Sequence, residues 1–208
     1  MNSHRAETME KKFVQNAPKS FEFNNENLKK VKTILARYPK DRKASAIMPL
    51  FDLAQRQCGG WLPEVSIEYI ADYLGVPHIR AYEVASFYSM YNTTPVGKYH
   101  IQVCGTTPCM ISGSDDIVRV CEDQLGINLG ETTDDGLFTL SEVECLGVCV
   151  NAPMVQVNDE YYTDLNPDIM SQLIKKLAND QEIKPESQVG RKGSAPLTGP
   201  TTLTKGNS

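Results

Sequence analysis

At Gly97 the spacing of apolar residues changes, and with it the kind of structure the chain can form. Upstream, Leu28, Val31, Leu35 and Tyr38 step by three and four residues, as one face of a helix does. Asn24 or Asn25 is placed to cap that helix and Pro39 to stop it. Ile47, Leu50, Phe51 and Ala54 mark a second helix, with Ser45 as cap, Pro49 in its first turn and Gly59-Gly60 beyond its end. Ile67, Ile70, Ala71 and Leu74 mark a third, closed by Gly75 and Pro77, and Tyr82, Ala85 and Tyr88 a fourth. From Gly97 onward Tyr99, Ile101 and Val103 alternate with polar neighbours, the period of a strand, and Cys104 follows. A helix from about Ser114 to Leu125 comes next, then strands at Leu137–Val143, Met154–Val157 and Tyr161–Tyr162, and a last helix through Ile169, Leu173, Ile174 and Leu177.

The expected fold class is therefore α+β: a small helical bundle over residues 21–93, then an α/β domain over 94–180. The order β-α-β-β-β-α is compatible with a small sandwich of thioredoxin type. An extended arm is expected over residues 1–20. The segment 181–208 holds four Gly, three Pro and no aromatic residue, so it is expected to lie disordered or extended over a partner. The longest apolar run, Ala46–Phe51, is far short of a membrane span, so no membrane insertion is expected.

The second half carries two cysteine pairs, Cys104-Gly-Thr-Thr-Pro-Cys109 and Cys145-Leu-Gly-Val-Cys149, each at the end of an expected strand. With only six cysteines in 208 residues and no secretory segment, metal ligands or buried thiols are favoured over disulfides. Four thiolates converging on one point hold either Zn²⁺ or an iron–sulfur cluster. The four-residue gap of the first pair is at the edge of zinc knuckles and ordinary for ferredoxin loops, which favours a cluster while leaving zinc and unrelated thiols open. Gly105 and Gly147 are expected to relieve crowding so that backbone N–H groups approach the sulfide atoms. Cys121, on an apolar helix face, and Cys58, at a helix end, are expected to be structural.

Other chemistries are disfavoured. No C-x-x-C is present, and none of His4, His78 and His100 lies in a cysteine motif as a Rieske centre would require. His100 is expected on a strand surface. No G-x-G-x-x-G or Walker A loop is present, so nucleotide binding by this chain is not expected. Ile70-Ala71, Leu74-Gly75-Val76 and Val84 fit a helix-turn-helix pattern, but the would-be reading helix over 78–90 offers Arg80 and otherwise mainly apolar residues, which suits an interface or core better than DNA. Residues 1–43 carry eleven Lys/Arg against five Asp/Glu, whereas Tyr99–Ile174 carries Arg119 alone against thirteen acids. That acidic stretch excludes a polyanion as ligand and opposes further negative charge, an effect that solvation weakens.

Longer segments carry a resemblance. Phe87-Tyr88-Ser89-Met90-Tyr91-Asn92, Val96–Cys104, Thr106-Thr107-Pro108-Cys109 and Glu144–Pro153 resemble the thioredoxin-like [2Fe–2S] subunit family of respiratory complex I, NADH:ubiquinone oxidoreductase. Leu53-Ala54-Gln55-Arg56-Gln57 and Gly60-Trp61-Leu62-Pro63 match the helical half of the same family, so the likeness spans about residues 21–180. It implies one [2Fe–2S] cluster with Cys104, Cys109, Cys145 and Cys149 as ligands, and Gly105 departs from the Thr of many relatives. It also implies an electron carrier with a low-potential cluster and no complete active site of its own. The implied partners are a flavoprotein subunit, holding FMN and NADH and exchanging one electron with the cluster, and other peripheral-arm subunits. The flanks are similar to those of mitochondrial members, which implies the matrix side of the mitochondrial inner membrane, with the cytoplasmic face of a bacterial membrane as the alternative. An ordinary trans Ala152–Pro153 bond ending the cysteine loop is the default, and a cis bond is the alternative by analogy with thioredoxins.

Overall fold

The computed structural model describes residues 17–199 and 202, so most of the expected 1–20 arm lies outside the described residues. The chain divides between Val96 and Gly97 into two compact units.

In the first unit four helices, α1 (Asn25–Leu35), α2 (Ile47–Gln57), α3 (Glu64–Leu74) and α4 (His78–Phe87), enclose a core of Val31, Leu50, Phe51, Ala54, Leu62, Ile70, Ala71 and Ala81. Asn24 caps α1, its Oδ1 accepting the Asn27 N–H at 2.8 Å, a contact worth about 1 kcal/mol. Gly75 closes α3 in the left-handed conformation, φ 67°. Ser45 does not cap α2, because Lys40–Ala46 already winds as a 3₁₀ turn into its first residue. Polar side chains, Gln57, Gln55 and Asn92 among them, hold the loops. Gln57 Oε1 accepts from the Asn24 N–H at 3.1 Å and from Asn27 Nδ2 at 2.8 Å. Gln55 Oε1 accepts the Asn92 N–H at 2.7 Å, and Asn92 Nδ2 donates to the Gly60 carbonyl at 2.8 Å.

The second unit is built on a mixed sheet ordered β2-β1-β3-β4-β5, from β1 (Tyr99–Cys104), β2 (Phe138–Val143), β3 (Val155–Val157), β4 (Glu160–Thr163) and β5 (Glu186–Ser187). β1 and β2 are parallel, with Tyr99 opposite Phe138 and Cys104 opposite Val143. A parallel pair needs a crossover, and the chain between them supplies α5 (Thr107–Ile111) and α6 (Ser114–Leu125). β3 runs antiparallel to β1 and turns at Asn158-Asp159 into β4. Asn158 takes the positive φ of 54° that this tight turn requires. α7 (Pro167–Ala178) is capped by Asn166, whose Oδ1 accepts the Ile169 N–H at 2.9 Å. Ile117 and Cys121 of α6 and Met170, Leu173 and Ile174 of α7 share a core with Ile101, Val103, Leu140 and Val155 of the sheet.

Three expectations are corrected here. The 181–208 segment is not unstructured throughout: Glu186–Ser187 adds a parallel strand to β4, and Gln188 continues it with an N–H bond to the Thr163 carbonyl at 3.0 Å. A two-residue strand paired through its backbone leaves no apolar period to read. The Ala152–Pro153 bond is cis, not the default trans. His100 is buried rather than on a surface, because β1 lies inside the sheet and both its faces are covered. Its ring nitrogen Nε2 is 2.7 Å from Ser141 Oγ.

Burial lowers the His100 pKa to about 4 from an ordinary 6.5. The unfolded chain therefore takes up the proton first, so His100 leaves stability intact above pH 6.5 and erodes it as pH falls toward 4. Unfolding free energy is expected to drop by about 2 kcal/mol from pH 6.5 to about 5 through this group. Denaturant unfolding at several pH values checks it: His100→Gln should flatten that slope, and an unchanged slope would contradict the assignment.

Candidate metal centre

The parallel pairing of β1 and β2 sends both cysteine loops from the same end of the sheet. Cys104 is the last residue of β1 and lies opposite Val143, the last of β2; Cys145 follows two residues later. β3 starts at that end too, and the Cys104 N–H bonds the Met154 carbonyl at 3.3 Å. Three chain segments thus meet there: 104–109, 144–149 and the return through 152–154. Cys109 is carried inward by α5, a helix of five residues, too short to leave a periodic signal in the sequence.

Cys104 and Cys109 are buried together with Met154, and Leu146, Val148, Ala152 and Tyr161 pack partly buried around them. Cys145 and Cys149 are exposed, on the rim. All six cysteines are free thiols. The Cys145 and Cys149 sulfurs are 3.5 Å apart, far longer than a bond. Among the described residues no three Cys, His, Asp or Glu side chains form a site for a single metal ion.

The ionisation pattern follows from how the thiols face one another. Burial pushes Cys104 up, but the Thr106 hydroxyl, 3.4 Å away, the backbone N–H groups of Leu146 and Thr106, and the Cys109 thiol bring it below its ordinary value. Cys109 is pushed up to about 12, by burial first and then by Cys104. On the rim, the Gly147 N–H and the Cys149 thiol lower Cys145, whereas Cys149 is raised by its hydrogen bond to Cys145 and then by burial. Cys104 acts on both Cys145 and Cys149, and Cys149 on Cys109, so the two pairs share one electrostatic site. In each pair one thiol is lowered and its neighbour raised. Four thiolates coexist here only around positive charge, which is the donor chemistry of a metal–sulfur group.

Gly105 relieves crowding as expected, though for a carboxylate, whereas Gly147 acts differently. Gly147 has open space where a Cβ would stand, and its role is the φ of +85° that turns its N–H toward Cys145. At Gly105 a Cβ would overlap the Glu142 carboxylate, whose Cδ would be 2.7 Å from it, so the missing side chain makes room for Glu142. Thr106 and the Leu146 and Gly147 amides are supporting groups that the motif spacing does not single out. Only Thr106 has a side chain that could signal it, since backbone N–H groups act identically in every residue type.

Cys121 is wholly buried in the α6 face, and burial raises its thiol to about 12; Cys58 is half-buried against the helical core, and burial raises it too. Neither reaches the four-thiol site's buried group.

The family described as thioredoxin-like [2Fe–2S] ferredoxin matches residues 31–178. A relative from Rickettsia conorii, named as one of the subunits of NADH-quinone oxidoreductase, is 60% identical over 161 residues, covering 77% of this chain and 96% of its own length. The Dictyostelium discoideum protein named NADH dehydrogenase [ubiquinone] flavoprotein 2, mitochondrial, is 49% identical over 183 residues, 88% of this chain and 74% of that protein. Among solved structures, NAD⁺-reducing [NiFe]-hydrogenase in the H₂-reduced state aligns with a TM-score of 0.56 at 20% identity, over 64% of this chain and 23% of that one, a likeness of fold.

Proposed function

The chain belongs to the thioredoxin-like [2Fe–2S] ferredoxin family, and on that footing we propose that it is the electron-carrying subunit of an NADH:quinone oxidoreductase, with Cys104, Cys109, Cys145 and Cys149 as the ligands of one [2Fe–2S] cluster. The observation that carries the ligand set is the meeting of two thiol pairs at one end of a parallel strand pair, each pair influencing the ionisation of the other. When bound, such a cluster supplies a one-electron carrier. The chain's own residues do the rest. Cys104 and Cys109 hold the group from the buried side and Cys145 and Cys149 from the rim. N–H groups of Thr106, Leu146 and Gly147 support negative charge on the sulfurs. Glu142, against Gly105, and the exposed Glu144 set carboxylates on the rim, which supports a low potential because they oppose an added electron.

NADH and FMN belong on a partner flavoprotein, which exchanges one electron with the cluster; no phosphate-cradling loop is present in this sequence. The bundle offers a surface for such a partner or its peripheral-arm neighbours. Ile79, Phe87 and Met90, large apolar side chains in and just after α4, are 65%, 80% and 56% exposed. Among the described residues no helix is long and apolar enough to cross a membrane. A peripheral place on the matrix side of the mitochondrial inner membrane suits the basic N-terminal segment, with the bacterial cytoplasmic face as the alternative.

Electron paramagnetic resonance of the reduced full-length chain tests the ligand set. Changing any one of the four cysteines to Ser should abolish or strongly alter the cluster signal. Cys58→Ala and Cys121→Ala should leave it intact, the latter at a packing cost of about 1 kcal/mol. Loss of the signal in a folded Cys121→Ala protein would overturn the assignment. For the docking surface, Phe87→Glu should weaken capture of the flavoprotein by about tenfold or more while leaving the cluster signal unchanged. Equal capture by parent and variant would place that partner elsewhere.

A further inference from the structure

The C-terminal segment returns to the turn that carries Cys149. After β5, the Arg191 N–H bonds Ser187 Oγ at 3.0 Å, closing a turn from which the Arg191 side chain reaches Asp164 and Val150. Its Nη2 lies 3.0 Å from Asp164 Oδ1, and its Nη1 donates to the carbonyl of Val150, the residue after Cys149, at 2.9 Å. Asp164 is tied to the same turn from its other side: its N–H bonds the Asn151 carbonyl at 2.8 Å, and Asn151 Nδ2 donates to Asp164 Oδ2 at 3.0 Å. The same Nδ2 donates to the Gly193 carbonyl at 3.0 Å. The side chains of Arg191 and Asp164 are only 16% and 7% exposed, against 54% and 76% for the surface pair Lys30–Glu26. Arg191 Nε is also buried, with no hydrogen-bond partner, so the guanidinium accepts an unpaired donor to hold this position.

We propose that Arg191 is a positioning residue for the cluster: through Asp164 and the Val150 carbonyl it locks the 149–151 turn, and the strap over 186–193 is part of the cluster-holding domain. This rests on Cys145 and Cys149 being ligands. The 145–149 loop includes the exposed thiol pair, and the turn that ends it is tied to Asp164 and the C-terminal segment through Val150 and Asn151. A planar guanidinium suits the task because it addresses a carboxylate and a carbonyl at once, which an ammonium on a flexible stem does less well. The clamp gives the C-terminal segment a task within its own chain, beyond any part it takes in assembly.

The test compares the full-length holoprotein with Arg191→Ala and Arg191→Lys. Two quantities are read: the rate at which iron passes to an excess of chelator, and native-state hydrogen exchange of amides 146–151 against those of β1. Arg191→Ala should release iron about tenfold faster and speed exchange at 146–151 by a similar factor, with β1 protection unchanged, since a hydrogen bond to a charged group is lost. Arg191→Lys should fall between the two. Equal release and exchange in parent and Arg191→Ala would overturn the clamp, and so would faster exchange spread evenly over the whole unit. Where Arg191→Ala fails to fold, Arg191→Lys decides alone, and parent-like release and exchange overturn the proposal. A parent that binds no cluster sinks the ligand set instead, and exchange at 146–151 then still judges the clamp.

Discussion

The parallel pairing of β1 with β2 is the constraint on which the rest of the second unit depends. Antiparallel strands would send the chain after Cys104 and the chain after Val143 to opposite ends of the sheet. Parallel register instead brings the two loops out side by side, and the antiparallel β3 starts at the same end. The crossover that makes this possible is α5–α6, whose face is anchored by Ile117 and Cys121 in the sheet core. Cys121 is buried in that core, on the helix that permits the parallel pair.

What those loops assemble is a place where negative charge on sulfur is both supported and crowded. Amide and hydroxyl donors favour ionisation at Cys104 and Cys145, and each ionised sulfur penalises its neighbour. Cys104, Cys109, Cys145 and Cys149 would hold a cationic metal–sulfur group as thiolates, and losing their protons on binding would couple that binding to pH. The burial of one pair and exposure of the other leave the site closed on the protein side and open on the rim, a disposition suited to passing an electron to a docked partner.

Much of this is legible in the chain because the signals are local. The helical steps of Leu28, Val31 and Leu35, the alternation through Ile101 and Val103, and the glycine stops at Gly75 and Gly126 each act within a turn or two. The cysteine pairs are visible by spacing. What is not legible depends on contacts made at a distance. His100 looks like a surface residue until β1 is known to lie inside the sheet. Gly105 gives no hint of Glu142, 37 positions along, and Arg191 gives none of Asp164. The 181–208 segment, poor in apolar residues, is ordered in part by backbone pairing with β4 and by one buried ion pair, neither of which leaves a periodic trace.

In the proposed function this single chain holds one two-iron, two-sulfide group on four cysteine thiolates. Native mass spectrometry of the anaerobically purified full-length protein tests it most directly. The expected result is a folded species heavier than the denatured chain by two iron and two sulfide atoms, less the displaced protons, lost as one unit on acidification. A folded species carrying one zinc ion and no sulfide would contradict it.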